Sequence, residues 1–392
     1  MSNEIEAIVQ SLRSLERTED VNQAYGAVDR MNRESKTADL LELAAALEKG
    51  CDVSGEAKFP FEAVCDHVEE VLALTPSDDH VDALFTLLSR PRVRSVNRPR
   101  SIEMRTRAFA SRLGHGQSKD ALVNTLERLG NDKEHLELLA CWMHECILRG
   151  TSLERDEVVA KFHARLADAR HPLGEMPLVL LEAESEAPTY MPMYGSNAIS
   201  KAVARLESGA ASTRTIPPPG EHEAPRVTRV EDAAALARMR EAIAPWNSGP
   251  NSKSEARIFE LDPAVVSASP GRWLLRALSL ECLEGAKALH AERVSSEVVW
   301  GALFAAAANG GAYSSGLGAG YGRRAAWTSL GALVGAPADA TPRQIDARAP
   351  SASFLVFGAA SGWWNDIAWD IGALAVRADG ASVAVLAATD AD

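Results

Sequence analysis

Apolar residues recur at the spacing of amphipathic helices through the first half of the chain. Ile5, Ile8 and Leu12 fall three or four positions apart, so they share one face of a helix. Comparable sets follow as far as residue 176, separated by short breaks rich in Gly, Pro, Ser or Asp. This rhythm predicts an all-α, solenoid-like helical array over residues 1–206. No residue signature repeats, so an irregular array fits the pattern as well as a true repeat.

The pattern changes after residues 207–225, whose small residues and run of prolines are typical of a linker. Beyond the linker, Ser254–Leu261 alternates between polar and apolar positions, as a half-buried strand does. We expect helices at 232–243, 273–290, 296–309 and 323–333, and strands at 226–230, 254–261, 353–358, 371–377 and 382–389. The chain is therefore predicted to be multi-domain, with an α+β domain at 226–392 that contains a small antiparallel sheet.

The last two predicted strands, 371–377 and 382–389, are apolar at both alternating positions. A strand with that composition is buried on both faces, so we expect this pair at the centre of the sheet. Asp379 and Gly380 lie between the two strands and are typical of a tight hairpin turn.

Composition and charge narrow the class of protein. Of the 392 residues, 46% are hydrophobic and 24% are charged, as is usual for a folded globular chain. The formal charge of −13 repels phosphate backbones, so we predict no nucleic-acid partner and favour a protein partner with a basic surface. No apolar run reaches about 18 residues and the N-terminus lacks signal-peptide features, which predicts a cytoplasmic protein without a membrane partner. Five cysteines in so long a chain indicate reduced thiols.

One candidate site is the glycine-rich loop Gly310–Gly322, which is followed by Arg323 and Arg324. Free backbone amides, the start of a helix and two guanidinium groups can together hold a phosphate or a carboxylate. The loop lacks the Gly-Lys-Ser/Thr ending of a P-loop and the spacing of a dinucleotide fingerprint, so no cofactor is predicted. The alternative is a connection between two helices whose arginines are paired or solvated.

A second candidate is an aromatic and acidic segment that precedes the next-to-last strand. Its members are Trp363, Trp364, Asn365, Asp366 and Asp370. Asp370 lies in an apolar run, and a buried carboxyl without a partner is held protonated, as a general acid requires. The alternative is that Asp370 accepts backbone hydrogen bonds or pairs with Arg323 or Arg324, while the tryptophans belong to the core.

The motif Cys141-x-x-His144-x-Cys146 contains residue types that ligate zinc. On one helix, however, Cys146 points roughly 140° away from His144, at 100° per residue. The spacing therefore favours thiols packed within the helical array, and no metal is predicted.

Four segments in the second half of the chain carry a resemblance to a known family. They are Glu255–Leu261, Gly310–Gly318, Trp364–Gly372 and Val385–Asp390. These segments resemble an uncharacterised bacterial family that carries only a domain-of-unknown-function label. The resemblance covers mainly residues 250–392 and implies a shared fold, with no catalytic residues to transfer. The Trp-rich turn, Asp-bearing strand and hairpin are also loosely similar to a type of immunity and scaffold module.

Two functional hypotheses follow from the sequence. The first is a non-enzymatic cytoplasmic interaction or immunity-type module, in which the helical array presents an exposed apolar or single-sign patch. The second is an enzyme or a small-anion-binding protein with its site between the Gly310–Gly322 loop and the Trp363–Asp370 segment. The second hypothesis requires Arg323 or Arg324 to converge with Asp366 or Asp370 in one open pocket.

Overall fold

A computed structural model describes most of the chain. The described residues are 3–15, 21–50, 58–89, 102–191, 225–248, 251–265, 270–312, 314–365 and 369–391. The chain forms two compact units, one of residues 1–146 with 157–162 and the other of residues 147–156 with 163–392. The predicted linker, 207–225, lies outside the described residues except for residue 225.

The described residues before residue 170 are mainly helical, as the apolar spacing predicts. Its described helices are α1 (Asn3–Arg13), α2 (Asn22–Arg33), α3 (Thr37–Gly50), α4 (Lys58–Leu74), α5 (Asp78–Leu88), α6 (Ile102–Gly116), α7 (Lys119–Leu129), α8 (Leu136–Leu148) and α9 (Glu157–Asp168). Ile5, Ile8 and Leu12 are buried together on α1. Serine residues begin two of the helices, because the side chains of Ser77 and Ser118 accept hydrogen bonds from backbone N–H groups in the first turns of α5 and α7.

A buried ion pair joins α4 to α6 within the first unit. Arg105 Nη2 donates to Glu69 Oε1 over 2.8 Å, and the Arg105 guanidinium lies 5.2 Å from the centre of the Phe109 ring. Glu69 is 1% exposed, so its charge needs this partner inside the helical layer.

The second unit contains one antiparallel sheet of six described strands. They are β1 (Arg226–Val230), β2 (Lys253–Asp262), β3 (Leu289–Val294), β4 (Ser353–Ala359), β5 (Trp369–Val376) and β6 (Ser382–Asp390). Their order across the sheet is β1-β2-β6-β5-β4-β3. The predicted fold class, a helical array followed by an α+β region with an antiparallel sheet, is confirmed. The two all-apolar strands are the central pair of the sheet, also as predicted.

The helices of the second unit are short except for two that pack along each other. They are α10 (Ala187–Tyr190), α11 (Ala233–Met239), α12 (Arg272–Ala277), α13 (Ser296–Asn309), α14 (Gly318–Leu333) and α15 (Pro342–Arg348). The predicted helix at 323–333 therefore begins earlier, at Gly318, so part of the predicted glycine loop is helical. The predicted helix at 232–243 ends at Met239 and continues as a 3₁₀ helix, Glu241–Ser248, that contains Pro245.

Both faces of the sheet are covered. The side chains of Val383, Val385 and Ala387 in β6 join a cluster with the leucines of α12 and the turn after it. The alternate side chains of β6, from Ala384 to Ala388, are also buried and point to the face that carries α13 and α14. This double cover explains why both alternations of β5 and β6 are apolar.

One predicted element is wrong. Residues 273–290 were expected to form a single helix, whereas the structure has α12, a 3₁₀ turn at Glu281–Leu283 and the edge strand β3. The buried carboxylate of Glu255 in β2 accepts hydrogen bonds from the N–H groups of Glu281 and Cys282, over 3.1 and 2.9 Å. A tertiary contact therefore holds the turn, and apolar spacing alone carries no sign of it.

Residues 163–191, which the sequence pattern grouped with the helical array, belong to the second unit. Tyr190 packs so closely on Gly301 of α13 that a Cβ atom there would lie 2.6 Å from the tyrosine ring. The backbone N–H groups of Glu182 and Ala183 donate to Asp346 in α15. No helix in the described ranges is long and apolar enough to cross a membrane.

The close packing of α13 and α14 can be tested at Gly322. A Cβ atom at Gly322 would lie 2.8 Å from backbone and side-chain atoms of Ala308, so Gly322→Ala must separate the helices. We expect this variant to lower the free energy of unfolding by about 1–3 kcal/mol. Gly26→Ala in α2 is the control, because no atom lies within 4 Å of its Cβ position, and it should gain about 0.5–1 kcal/mol. Urea denaturation measures both variants, and an equal loss of unfolding free energy in the two would contradict this account.

Candidate functional site

Arg323, a predicted anion ligand, is fully buried and bonded within the protein. Its Nε and Nη2 atoms both donate to the carboxylate of Glu184 over 2.6 Å. Its Nη1 and Nη2 atoms also donate to the backbone carbonyls of Pro177 and Val179, each over 2.7 Å. Four of the five guanidinium N–H donors therefore bond to the segment that precedes α10. Arg323 has a structural role and is not free to bind an anion.

Glu184 is held from three sides. Besides Arg323, it accepts a hydrogen bond from Trp327 Nε1 over 2.5 Å and one from the backbone N–H of Leu181 over 2.9 Å. Both Glu184 and Arg323 have no exposed surface, so each charge depends on the other. This cluster ties residues 177–184 to α14.

The neighbouring Arg324 has a different environment. Its side chain is 40% exposed and its Nη1 atom lies 3.9 Å from the Glu241 carboxylate. A pair at this distance in solvent contributes little to stability. Of the two predicted arginines, one is buried against a carboxylate and the other is at the surface beside one.

The glycine-rich loop is a tight connection between α13 and α14. Gly310 has a φ angle of +81°, and a Cβ atom at Gly316 would lie 2.1 Å from the carbonyl oxygen of Ala308. Glycine is needed at these two positions for the backbone angle and for the close approach, respectively.

The N–H of Gly311 donates to Ser314 Oγ and the N–H of Ala312 donates to the Asp390 carboxylate.

The aromatic segment packs on the other face of the sheet. Trp364 is buried and its Nε1 atom donates to the carbonyl of Cys282 over 2.9 Å, while Trp363 lies beside it and is half-buried. The backbone N–H of Asn365 donates to Thr389 Oγ1 over 3.1 Å. Asp366 lies outside the described residues. These contacts give Trp364 and Asn365 structural roles.

The sheet separates Asp370 from the glycine loop. In the β5–β6 register, Asp370 is opposite Thr389, whereas Trp369 is opposite Asp390. Asp390 reaches the glycine loop, and side chains alternate between faces, so Asp370 points to the opposite face. The structure therefore groups Arg323 with Glu184 and Asp370 with the Thr389 side of the sheet, and does not bring them into one pocket.

The thiols of α8 and of the turn after α12 are buried. Cys141 Sγ donates to Glu137 Oε1 over 3.6 Å, one helical turn away. Burial raises the pKa of the Cys141 thiol and of the Cys282 thiol, and the adjacent Glu137 and Glu255 carboxylates raise them further. Within the described ranges, no three His, Cys, Asp or Glu side chains are grouped as metal ligands.

An acidic pocket in the first unit was not predicted from the sequence. It has a volume of about 370 Å³ and is lined by Tyr25, Glu62, Ala63, Asp66, His67 and Glu70. The three carboxylates are spaced four residues apart along α4, so they share one side of the helix. Among the described residues that line the pocket, none is a lysine or an arginine.

Two contacts across α2 and α4 shape this acidic pocket. His67 Nε2 lies 2.9 Å from Asp29 Oδ1, and the rings of His67 and Tyr25 are 4.5 Å apart. Burial raises the pKa of the Tyr25 hydroxyl, and the charges of Asp66 and Glu70 raise it further. The pocket thus combines an aromatic wall with a negative potential, which is the chemistry that holds a cationic group.

A second cavity of about 430 Å³ is lined by residues of α12, of β3 and of the segment that joins them. Its lining includes leucines, among them Leu278 and Leu283, and charged residues of both signs, among them Lys287 and Glu284. A mixed lining favours no charge class of ligand, so the acidic pocket is the better-defined site.

A family model matches residues 22–392, which covers both units. The chain belongs to DUF6183, a family of unknown function. No curated protein and no solved structure matches it. The match extends well beyond residues 250–392, the region that carried the resemblance in sequence, and includes most of the helical unit.

The buried ion pair predicts a large difference between two adjacent arginines. Arg323→Met leaves the Glu184 carboxylate buried without its partner and should lower the free energy of unfolding by about 3–5 kcal/mol. Arg324→Met removes an exposed charge and should change it by less than about 1 kcal/mol. Denaturation followed by tryptophan fluorescence measures both, since seven of the eight tryptophans lie after residue 245. Similar losses in the two variants would show that the pair is not the main contact.

The buried thiol of Cys282 should resist alkylation. Its side chain is inaccessible and its pKa is raised by burial, so little thiolate forms at about pH 8. Iodoacetamide should modify Cys282 in the denatured chain and leave it unmodified in the native protein, as read by peptide mass mapping. Rapid modification in the native state would require this turn to open.

Proposed function

We propose that the protein is a non-enzymatic cytoplasmic interaction module, of the kind that immunity and scaffold proteins represent. In this proposal, the acidic pocket of the first unit binds a basic segment of a partner protein. The observation that supports it most is the line of Glu62, Asp66 and Glu70 along one wall, with no lysine or arginine in the lining among the described residues. A patch dominated by one sign of charge on the helical array is what the interaction-module hypothesis requires.

Electrostatics favour a basic partner at this pocket. Like charges in a concave surface reinforce one another, because the protein walls focus their field. The chain also carries a formal charge of −13, which attracts a basic partner at long range and speeds the encounter. The pocket supplies the local specificity that the overall charge lacks.

The size and wall of the pocket suit a long cationic side chain. Its volume of about 370 Å³ accommodates a lysine or arginine side chain. Tyr25 also lines the pocket, so a cation that enters can contact its ring as well as the carboxylates of Asp66 and Glu70. Binding at this pocket therefore requires charge, and a neutral side chain of the same length gains much less.

The alternative is an enzyme or a small-anion-binding protein with its site between the glycine loop and the Trp363–Asp370 segment. That function needs a guanidinium group near Asp370. Arg323 is instead bonded to Glu184, and Asp370 is on the face of the sheet away from the loop. These contacts give the alternative less support than the interaction module.

Binding of deca-lysine to the full-length chain tests the proposal. We expect saturable binding that weakens with added salt, and no comparable binding of the Nε-acetylated peptide. The variant Glu62→Gln/Asp66→Asn/Glu70→Gln should bind deca-lysine about 10-fold more weakly, because three attractive charges are lost from one wall. Isothermal titration calorimetry gives both affinities.

A matched control separates the pocket from the overall charge. Asp120→Asn/Glu127→Gln/Glu134→Gln removes the same three charges from exposed positions in and just after α7. This control should bind deca-lysine within about 2-fold of the parent chain. If both triple variants lose affinity equally, binding follows net charge and the acidic pocket is not the site.

A further inference from the structure

The glycine loop and the end of β6 meet at a buried carboxylate. Asp390 is 1% exposed, and its Oδ2 atom accepts a hydrogen bond from the N–H of Ala312 over 2.8 Å. Its Oδ1 atom accepts one from the N–H of Ala391 over 3.1 Å. A carboxylate without exposure is stable only where donors of this kind face it.

The loop makes room for this carboxylate. A Cβ atom at Gly311 would lie 2.2 Å from Asp390 Oδ2, so only glycine lets the carboxylate sit against the backbone there. The same Cβ position is 3.2 Å from the ring of Trp246, whose Nε1 atom donates to the carbonyl of Ala306 at the end of α13. The Trp246 indole and the Asp390 carboxylate therefore both pack against the loop at Gly311.

We propose that the glycine loop is an anion acceptor which the chain fills from within, with Asp390 as a tethered ligand that latches β6 to the α13–α14 pair. Backbone N–H groups in a glycine-rich bend attract negative charge, as in anion-binding nests. A tethered carboxylate has a high effective concentration, so it excludes free anions from the loop. The loop therefore binds an external carboxylate only when the Asp390 side chain is absent.

This inference concerns the second unit and is independent of the proposed partner binding by the first. It also accounts for the anion-binding character of the loop sequence. The N–H of Ala312 in the loop faces a carboxylate, and that carboxylate is supplied by the end of the protein's own sheet.

Rescue of Asp390→Ala by formate tests the latch. Removal of the carboxylate leaves the N–H of Ala312 buried without its acceptor and should lower the thermal midpoint of unfolding by roughly 5 °C. Sodium formate supplies a carboxylate small enough for the space and should restore much of that loss in a saturable manner. Sodium chloride at the same ionic strength should not, and formate should leave the parent chain unchanged within about 1 °C.

Asp379→Ala is the matched control. Asp379 also accepts two backbone N–H groups, those of Ala381 and Ser382, but it does so in the exposed turn between β5 and β6. Water can replace that carboxylate, so formate should not stabilise the variant. No stabilisation of Asp390→Ala by formate, or equal stabilisation of both variants, would overturn the proposal.

A second variant covers the case in which Asp390→Ala does not fold. Asp390→Asn keeps the shape and one acceptor oxygen but loses the charge, so the amide hydrogen of Ala312 should exchange about 10-fold faster than in the parent chain. An exchange rate equal to that of the parent would show that the negative charge of Asp390 is not what the loop binds.

Discussion

The second unit depends on the ion pair between Glu184 and Arg323. Both side chains are fully buried, and the pair is completed by Trp327, the Leu181 N–H and two backbone carbonyls. An isolated buried charge has a large desolvation penalty. The segment that carries Glu184 and the helix that carries Arg323 can therefore be buried only together. The contact brings residues 177–184 onto α14, and α14 in turn packs with α13 over one face of the sheet. Arg323 is therefore committed to the fold and is not available as an anion ligand.

The strongly periodic parts of the chain could be predicted from the sequence, and the long-range contacts could not. The helices of the first unit and the central strands β5 and β6 follow from apolar spacing. Apolar residues recur at the helical period where one face of a helix is buried, and they are continuous where both faces of a strand are buried. The pairing of Glu184 with Arg323 spans 139 positions and leaves no local signal. Edge strand β3 was missed for a related reason, since the Glu255 carboxylate in β2 holds the turn that precedes it.

The candidate sites divide in the same way. The glycine loop and Trp364 are candidate site features in the sequence, yet in the structure they make internal hydrogen bonds, the loop to Asp390 and Trp364 to the carbonyl of Cys282. The acidic pocket could not be predicted from the sequence, because carboxylates on a helix usually mark its solvated face. The spacing of Glu62, Asp66 and Glu70 was visible in the sequence, but its meaning required Tyr25 and His67 from the packing of α2 on α4. The DUF6183 model matches residues from both units, so the helical region and the sheet region belong to one family match.

Hydrogen–deuterium exchange of the full-length chain with and without deca-lysine tests the central claim, binding of a basic segment at the acidic pocket, most directly. The account predicts added protection confined to α2 and α4, the helices that carry Tyr25 and the three carboxylates, with little change in the sheet or in the glycine loop. Protection spread evenly over acidic surfaces, or concentrated in the second unit, would contradict it.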